Sequence, residues 1–465
     1  MGLRKNDKIA LNITAVTAEG SGIGHYEGMA VFVPGAAAGD EITAHIVKVK
    51  SNCAFARLDT LHKPSPDRED PACAVFPACG GCAFRHITYK AELRIKQNGV
   101  KDALKRIGHI DVEPEPIRAA PQPQRYRNKA QFPVEKKDGR IKIGFYAPRS
   151  HRVIDCRLCL LQPEEFDTVL AVFGRWVEET GVSVYDETTK KGLLRHIYLR
   201  RAENTGEIMV CAVVNGDSLP RSGELTRELA EKVPGIKSIV LNINRADTNV
   251  ILGEQTVTLW GRDFITDELC GLKFRISPLS FYQVNPAGAE ILYQKAAEFA
   301  GLTGTETVLD LYCGAGTIGL TMAAGAKEII GVEIVAQAVE DAKTNAQING
   351  IGNARFLCAD AAEAAKILAN EGTKPDVILL DPPRKGCSPA LLHTIAGMAP
   401  ERIVYVSCNP ATLARDCAIL SGLGYTVKKA APVDMFPRTG HVETVVLITK
   451  SKSRGSKSPV YEPFM

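Results

Sequence analysis

Four short motifs in the C-terminal half of the chain carry residue types that do chemistry. Asp310-Leu-Tyr-Cys-Gly-Ala-Gly316 joins the end of an apolar run to the start of a helical one. Its glycines let the backbone turn tightly and approach a ligand closely. Glu333 closes the next apolar run, and a carboxylate there can accept from two ribose hydroxyls at once. The dinucleotide pattern Gly-x-Gly-x-x-Gly is absent; Asp-x-x-x-Gly-x-Gly with a later acid fits S-adenosylmethionine better. Asp381-Pro-Pro-Arg-Lys385 follows a further apolar run. Two prolines fix that loop, and Asp381 can face a cationic cofactor or a base edge. Ser407-Cys-Asn-Pro410 ends the run after it. A Cys beside a helix N-terminus has its pKa lowered, which makes Cys408 a candidate nucleophile; an inert half-buried thiol is the competing reading. His441-Val-Glu443 enters the last apolar run, where Glu443 is either a base at the same edge or half of a surface ion pair.

A different set lies in the N-terminal half. Cys73, Cys79 and Cys82 are closely spaced, and Cys156 and Cys159 follow at a distance. Three near thiols and one far one can complete a four-thiolate site, which zinc and iron–sulfur clusters both accept. Spacing chooses neither the metal nor the fourth ligand. The chain has 13 Cys, an odd count, and disulfides are not expected in a large cytosolic protein. The other seven, Cys53, Cys211, Cys270, Cys313, Cys358, Cys387 and Cys417, read as packing residues.

These motifs need a frame to hold them. From about residue 285, strands and helices alternate: strands at 307–311, 328–333, 354–357, 376–380 and 402–407, with helices between them. Two terminal strands follow at 426–432 and 443–449. That pattern predicts a doubly wound, mainly parallel sheet with an antiparallel end; the first three motifs fall at the carboxyl ends of their strands, where such sheets bind ligands, and Glu443 enters the last strand at the same edge. Residues 9–16, 29–33, 41–50 and 53–58 read as short strands of a small barrel, with Glu19-Gly-Ser-Gly-Ile-Gly24 as a break. A helix is expected over 89–107 and a Pro-rich connector over 111–124. Strands at 141–146, 196–200, 208–213 and 238–244 and a helix over 163–180 suggest an α+β unit between. The division expected is 1–62, 63–262, 263–450 and a basic flexible tail, 451–465.

Composition narrows the function. The 465 residues are 45% hydrophobic and 24% charged, which excludes a disordered, collagenous or disulfide-dense chain. No apolar run reaches the roughly 20 residues of a membrane span, and the start carries no signal-peptide core, so a cytoplasmic protein and no membrane partner are expected. The net charge is only +4, yet Arg118–Arg157 alone carries eleven Lys/Arg against three Asp/Glu. Tyr126, Phe132, Phe145 and Tyr146 lie among those charges. Cations that neutralise phosphates beside rings that stack on bases suit a nucleic acid, with a solvated basic face as the alternative. The run Gly192–Arg201 adds more of both. A monomer is the plain expectation.

Phe281-Tyr-Gln283-Val-Asn285, Asp310-Leu-Tyr-Cys-Gly-Ala-Gly, Asp381-Pro-Pro-Arg, Ser407-Cys-Asn-Pro and His441-Val-Glu443, in that order, resemble the RNA 5-methyluridine methyltransferases, and the likeness runs through nearly the whole chain. The first 60 residues look like that family's TRAM domain, an OB-like barrel, and the Cys73/Cys79/Cys82 spacing looks like the [4Fe–4S] site of its 23S ribosomal RNA branch. The resemblance implies a Rossmann-like methyltransferase domain, a central iron–sulfur and RNA-binding domain, and methylation of C5 of a 23S rRNA uridine. It assigns Gln283, Tyr312, Glu333, Asp360 and Asp381 to S-adenosylmethionine, Cys408 as nucleophile and Glu443 as base. It makes Cys159 the fourth cluster ligand, since Cys159-Leu-Leu-Gln-Pro fits the pattern better than Cys156.

The implied chemistry is attack of the Cys408 thiolate at C6 of uracil, methylation at the activated C5, removal of the C5 proton by Glu443 and release of Cys408. Three rivals are a tRNA uridine methyltransferase, an amino-group methyltransferase and a non-catalytic iron–sulfur RNA-binding protein. The last two need no nucleophilic Cys.

Overall fold

The structure is a computed structural model and describes residues 2–451. The basic tail expected over 451–465 lies, beyond Ser451, outside the described residues.

Strands Lys8–Val16, Ser21–Tyr26, Met29–Pro34, Glu41–Val49 and Cys53–Lys63 close into a barrel. Ile9, Leu11, Ile13, Val31, Val33, Ile42 and Ile46 fill it. The Gly-rich segment read as a break turns at Glu19-Gly20, and its remainder, Ser21–Gly24, opens the second strand. A Cβ on Gly24 would stand 2.5 Å from Leu11 Cγ, and one on Gly22 2.8 Å from the Ala36 Cβ. Those two glycines therefore mark close approach inside a narrow barrel rather than a turn.

Residues 64–88 run without helix or strand to helix Tyr89–Arg106, which Thr88 caps by accepting from the Ala91 N–H. This helix packs on the catalytic unit. Val100, Ala103 and Leu104 share a core with Leu413, Ala414 and Cys417 of helix Pro410–Gly422. The segment grouped above with the central unit thus braces the catalytic one.

The central sheet has seven strands, in the order Gln255–Gly261, Ile236–Ile243, Ile208–Val214, Leu194–Arg201, Lys129–Lys137, Arg140–Tyr146, Val153–Asp155. Helices Glu164–Thr180 and Ser222–Lys232 cover a core of Phe132, Phe166, Phe173, Trp176, Ile197 and Val210. Strand Lys129–Lys137 escaped the sequence reading because Pro133 and its lysines break the apolar signal. Pro133 sits where the strand leaves its pairing with Leu194–Arg201 and turns to Arg140–Tyr146.

The catalytic sheet also has seven strands: Ala354–Cys358, Glu328–Glu333, Thr307–Leu311, Val377–Leu380, Arg402–Ser407, Glu443–Lys450, Tyr425–Val433. The first five are parallel, and only Glu443–Lys450 runs against its neighbours. The chain reverses its direction of travel across the sheet between Thr307–Leu311 and Val377–Leu380, the position where open α/β sheets bind ligands. The doubly wound, Rossmann-like expectation is met.

Candidate active site

The loop after Thr307–Leu311 is built for close approach. Tyr312, Gly314 and Gly316 all have positive φ, at 69°, 55° and 80°. For Tyr312 this is the left-handed region that a side chain adopts only when its surroundings hold it. Glu333 does part of the holding: its Oε2 accepts from the Gly314 N–H at 3.1 Å, and its Oε1 from the Val335 N–H at 2.9 Å. One carboxylate thus sets the loop and the start of the next helix together, with lone pairs left for a ribose. Asp310 is buried and accepts from the Gly319 N–H at 3.0 Å, fixing helix Thr317–Met322.

Gln283 comes to the same place from a different segment. It is buried, its carbonyl accepts from Asn128 Nδ2 at 3.0 Å, and its side chain lies at the Tyr293 hydroxyl, itself 3.0 Å from Thr317 Oγ1. Asp360 is exposed and caps helix Ala361–Asn370 through Oδ1, accepting from the Ala362 N–H at 2.9 Å. Its role in holding the helix was not visible in the sequence.

Cys408, Glu443 and Asp381 converge from three strand ends. Cys408 follows Arg402–Ser407, Glu443 opens the antiparallel strand, and Asp381 follows Val377–Leu380. They are near enough to perturb one another's protons. Burial pushes the Cys408 thiol up to about 11, with the Glu443 and Asp381 carboxylates adding to the shift and Arg384 opposing it. The expectation of a lowered thiol pKa is therefore reversed. The reason is local: burial strips water from the sulfur first, and the Glu443 and Asp381 carboxylates stand beside it. Glu443 is buried and held well above the ordinary carboxylate range by that burial and by Asp381. Asp381 lies deep in the cleft with a partial opening to solvent, and desolvation lifts it to about 7. Asp310 reaches about 7 through burial first and Asp381 second. The floor is thus a cluster of acids, crowded and short of counter-charge.

Two residues without a role in the sequence analysis neighbour the site residues. Arg384, the Arg of Asp381-Pro-Pro-Arg, places Nη2 3.1 Å from His441 Nε2 and is the cation that opposes the shifts on Cys408 and Glu443. Its carbonyl accepts from Asn409 Nδ2 at 3.3 Å and Thr412 Oγ1 at 3.2 Å, locking the two motif loops together. Phe281 is 56% exposed, a large ring left bare beside Gln283.

The basic segment meets the site through Asn128, whose N–H donates to Val284 O at 2.9 Å. Lys129 pairs across the sheet with Arg200, and its charged neighbours are Arg200 and Arg127. Burial, with those cations, lowers the Lys129 pKa to about 8.

The five cysteines of 73–82 and 156–159 lie near one another. Cys79 feels both Cys159 and Cys73, and Cys82 feels Cys159 and Cys79. The Cys156 thiol faces Cys159. Among the described residues no three His, Cys, Asp or Glu side chains meet as the ligands of a single metal ion would. All 13 cysteines are free thiols.

The profile of the TRAM domain matches residues 4–58, and that of the tRNA (uracil-5-)-methyltransferases matches residues 243–451. An RNA methyltransferase of Clostridium tetani, described as uncharacterized, is 47% identical over 447 residues, 96% of this chain and 97% of its own. A second, from Halalkalibacterium halodurans, is 47% identical over 96% of this chain and 98% of its own. The chain belongs to the RNA uracil-5-methyltransferase family. Its methyl donor is S-adenosylmethionine. Among solved structures, the Pyrococcus abyssi tRNA (uracil-54, C5)-methyltransferase with bound S-adenosylhomocysteine superposes with a TM-score of 0.77 and 28% identity, covering 95% of this chain and 100% of that one. The family's TRAM barrel is the five-stranded barrel described above. No helix among the described residues is long and apolar enough to cross a membrane.

Proposed function

We propose that this enzyme methylates C5 of a uridine in 23S ribosomal RNA through a covalent Cys408–C6 adduct, with Glu443 as the base. The observation that carries the mechanism is the meeting of Cys408, Asp381 and Glu443 at one sheet edge. Gln283, Tyr312, Glu333, Asp360 and Asp381 would hold S-adenosylmethionine, which supplies an electrophilic methyl on a sulfonium. Asp310, Asp381 and Glu443 release their protons more readily once a cation stands among them. Cys408 then adds to C6, which moves electron density to C5 and O4 and makes C5 a nucleophile. After C5 is methylated, ionised Glu443 takes the C5 proton. The freed electron pair restores the C5–C6 double bond, and the C6–sulfur bond breaks to return the Cys408 thiolate. Arg384 favours the anionic forms of both side chains. The target base must leave its stack, at a cost of a few kcal/mol, and Phe281 and the Arg127/Lys129 edge are placed to compensate by stacking and phosphate contact.

Cys73, Cys79, Cys82 and Cys159 would hold a [4Fe–4S] cluster. Each thiolate of such a cluster binds a different iron, so the sulfurs surround a cube instead of meeting at a point. The surroundings suit an anionic cluster. Arg85 is buried, its Nε has no hydrogen-bond partner among the described residues, and its guanidinium stands beside the Cys82 and Cys159 thiols. The Gly81 N–H donates to Cys79 Sγ at 3.4 Å. Bound there, the group would staple 73–82 to the strand region at 156–159.

The second reading is a tRNA uridine, favoured by the full-length likeness to the Pyrococcus abyssi tRNA enzyme. Mass mapping of 5-methyluridine in 23S rRNA and tRNA, from cells lacking the protein and from complemented cells, separates the two. The expected result is loss at one or two 23S positions, restored by wild type and not by Cys408→Ala. Loss confined to tRNA would select the second reading. Full restoration by Cys408→Ala would overturn the mechanism.

A further inference from the structure

We propose that Lys96 is a positioning residue for the base, acting through the segment 434–440 that leads into Glu443. The proposal rests on the reading of Glu443 as the base. Lys96 lies on helix Tyr89–Arg106, far from Glu443 in sequence, and its side chain is 2% exposed. Its Nζ donates at 2.7 Å to Asp434 Oδ1, at 2.7 Å to Glu92 Oε1 and at 3.0 Å to the Phe436 carbonyl. Asp434 Oδ2 accepts from the Tyr89 hydroxyl at 2.8 Å. Glu92 Oε1 also accepts from the Arg438 N–H at 2.7 Å.

Connections between strands usually lie on the surface and are loosely held. This one is tied at every residue from Asp434 to Arg438. Asn285 Nδ2 donates to the Met435 carbonyl at 3.0 Å, and the Tyr126 hydroxyl to that of Pro437 at 2.9 Å. Arg438 has φ 69°, strained for a residue with a side chain. Its carbonyl accepts from the Ala83 N–H at 2.8 Å and the Phe84 N–H at 3.2 Å, and its guanidinium donates to Ile87 O at 2.9 Å and pairs with Glu69 at 2.8 Å. A strained turn held by so many groups, five residues before the base, points to a fixed approach of Glu443 to the substrate.

Lys96 is the centre of that hold, because two buried carboxylates share its charge. Without it, Glu92 and Asp434 face each other uncompensated, and the segment shifts or takes up a proton. Cys408 sits on another element, after Arg402–Ser407, and is outside this network. The loss should therefore fall on C5 proton removal more than on thiol attack or methyl transfer.

The test compares full-chain wild type, Lys96→Met, Lys96→Arg, Tyr89→Phe and Glu443→Gln, each with S-adenosylmethionine and a substrate RNA carrying tritium at uridine C5. Enzyme covalently joined to RNA and tritium released are measured together. A positioned base contributes about 10²–10⁴-fold, and a displaced one should forfeit ~10-fold of it. Lys96→Met is expected to accumulate adduct and release tritium ~10-fold more slowly, in the manner of Glu443→Gln. Tyr89→Phe should show the same signature more weakly, and Lys96→Arg should recover toward wild type. Equal loss of adduct and product in Lys96→Met, the mark of a merely structural residue, would overturn the proposal, as would wild-type behaviour. If Glu443→Gln itself built up no adduct, the base assignment would fail first and the role of Lys96 with it.

Discussion

Of the two seven-stranded sheets, the catalytic one presents acids at its working edge and the central one presents bases. Asp310, Glu333 and Asp381 at the carboxyl ends of parallel strands, and Glu443 at the start of the antiparallel one, crowd this edge, where Asp310 and Asp381 are lifted to about 7. Lys129, Arg127 and Arg200 crowd the neighbouring edge, where Lys129 falls to about 8. Each edge is uncomfortable alone, since like charges in a desolvated place disfavour their ionised forms. On the function proposed, a sulfonium would relieve the acids and a phosphate chain the Arg127/Lys129 edge, Arg200 being buried and bonded to the Ser277 and Ser280 carbonyls.

That division can be broken on either side, and the largest effect should come from the acid edge. Glu443→Gln is expected to cut turnover by about 10²–10⁴-fold and to leave enzyme trapped on RNA after methyl transfer; fast turnover with no trapped species would remove Glu443 from the mechanism. Asp381→Asn is expected to weaken S-adenosylmethionine binding by ~10–100-fold, the scale of a lost charged contact, while RNA affinity stays the same. Calorimetry with each ligand separately checks both halves of that statement. In the ligand-free protein, alkylation of the Cys408 peptide, followed by mass spectrometry, should rise about tenfold per pH unit from neutral pH upward. The sign follows from a thiol held near 11, because the reactive thiolate is scarce below that value. A plateau near pH 7 would mean a lowered pKa instead. The smallest effect belongs to the basic edge. Lys129→Ala should weaken RNA binding a few-fold and reduce the salt slope by about one, with S-adenosylmethionine binding unchanged.

The two sheets were also unequally legible in the sequence. Strands such as Glu328–Glu333 and Arg402–Ser407 are buried on both faces, so they read as continuous apolar runs, and their ends carry the motif residues. The central sheet mixes pairings, and Lys129–Lys137 and Gln255–Gly261 are too polar or too interrupted to stand out. In the barrel, Gly22 and Gly24 looked like chain breaks and proved to be strand residues packed against Ala36 and Leu11. At the site, residue types and order pointed to Cys408, Asp381 and Glu443. Their protonation did not follow, because it depends on which acids the fold brings around the sulfur. Lys96 was invisible for the same reason: on a helix far from every motif, nothing local marks a lysine that holds Asp434 and Phe436.

The most direct test of the account is a 5-fluorouridine RNA incubated with the enzyme and S-adenosylmethionine. Fluorine at C5 cannot leave as a proton does, so elimination stops after methyl transfer. The expected result is a denaturation-stable complex whose digested peptide carries a methylated fluorouridine on Cys408, and no complex with Cys408→Ala. Methylation of ordinary RNA with no such complex would contradict the covalent mechanism.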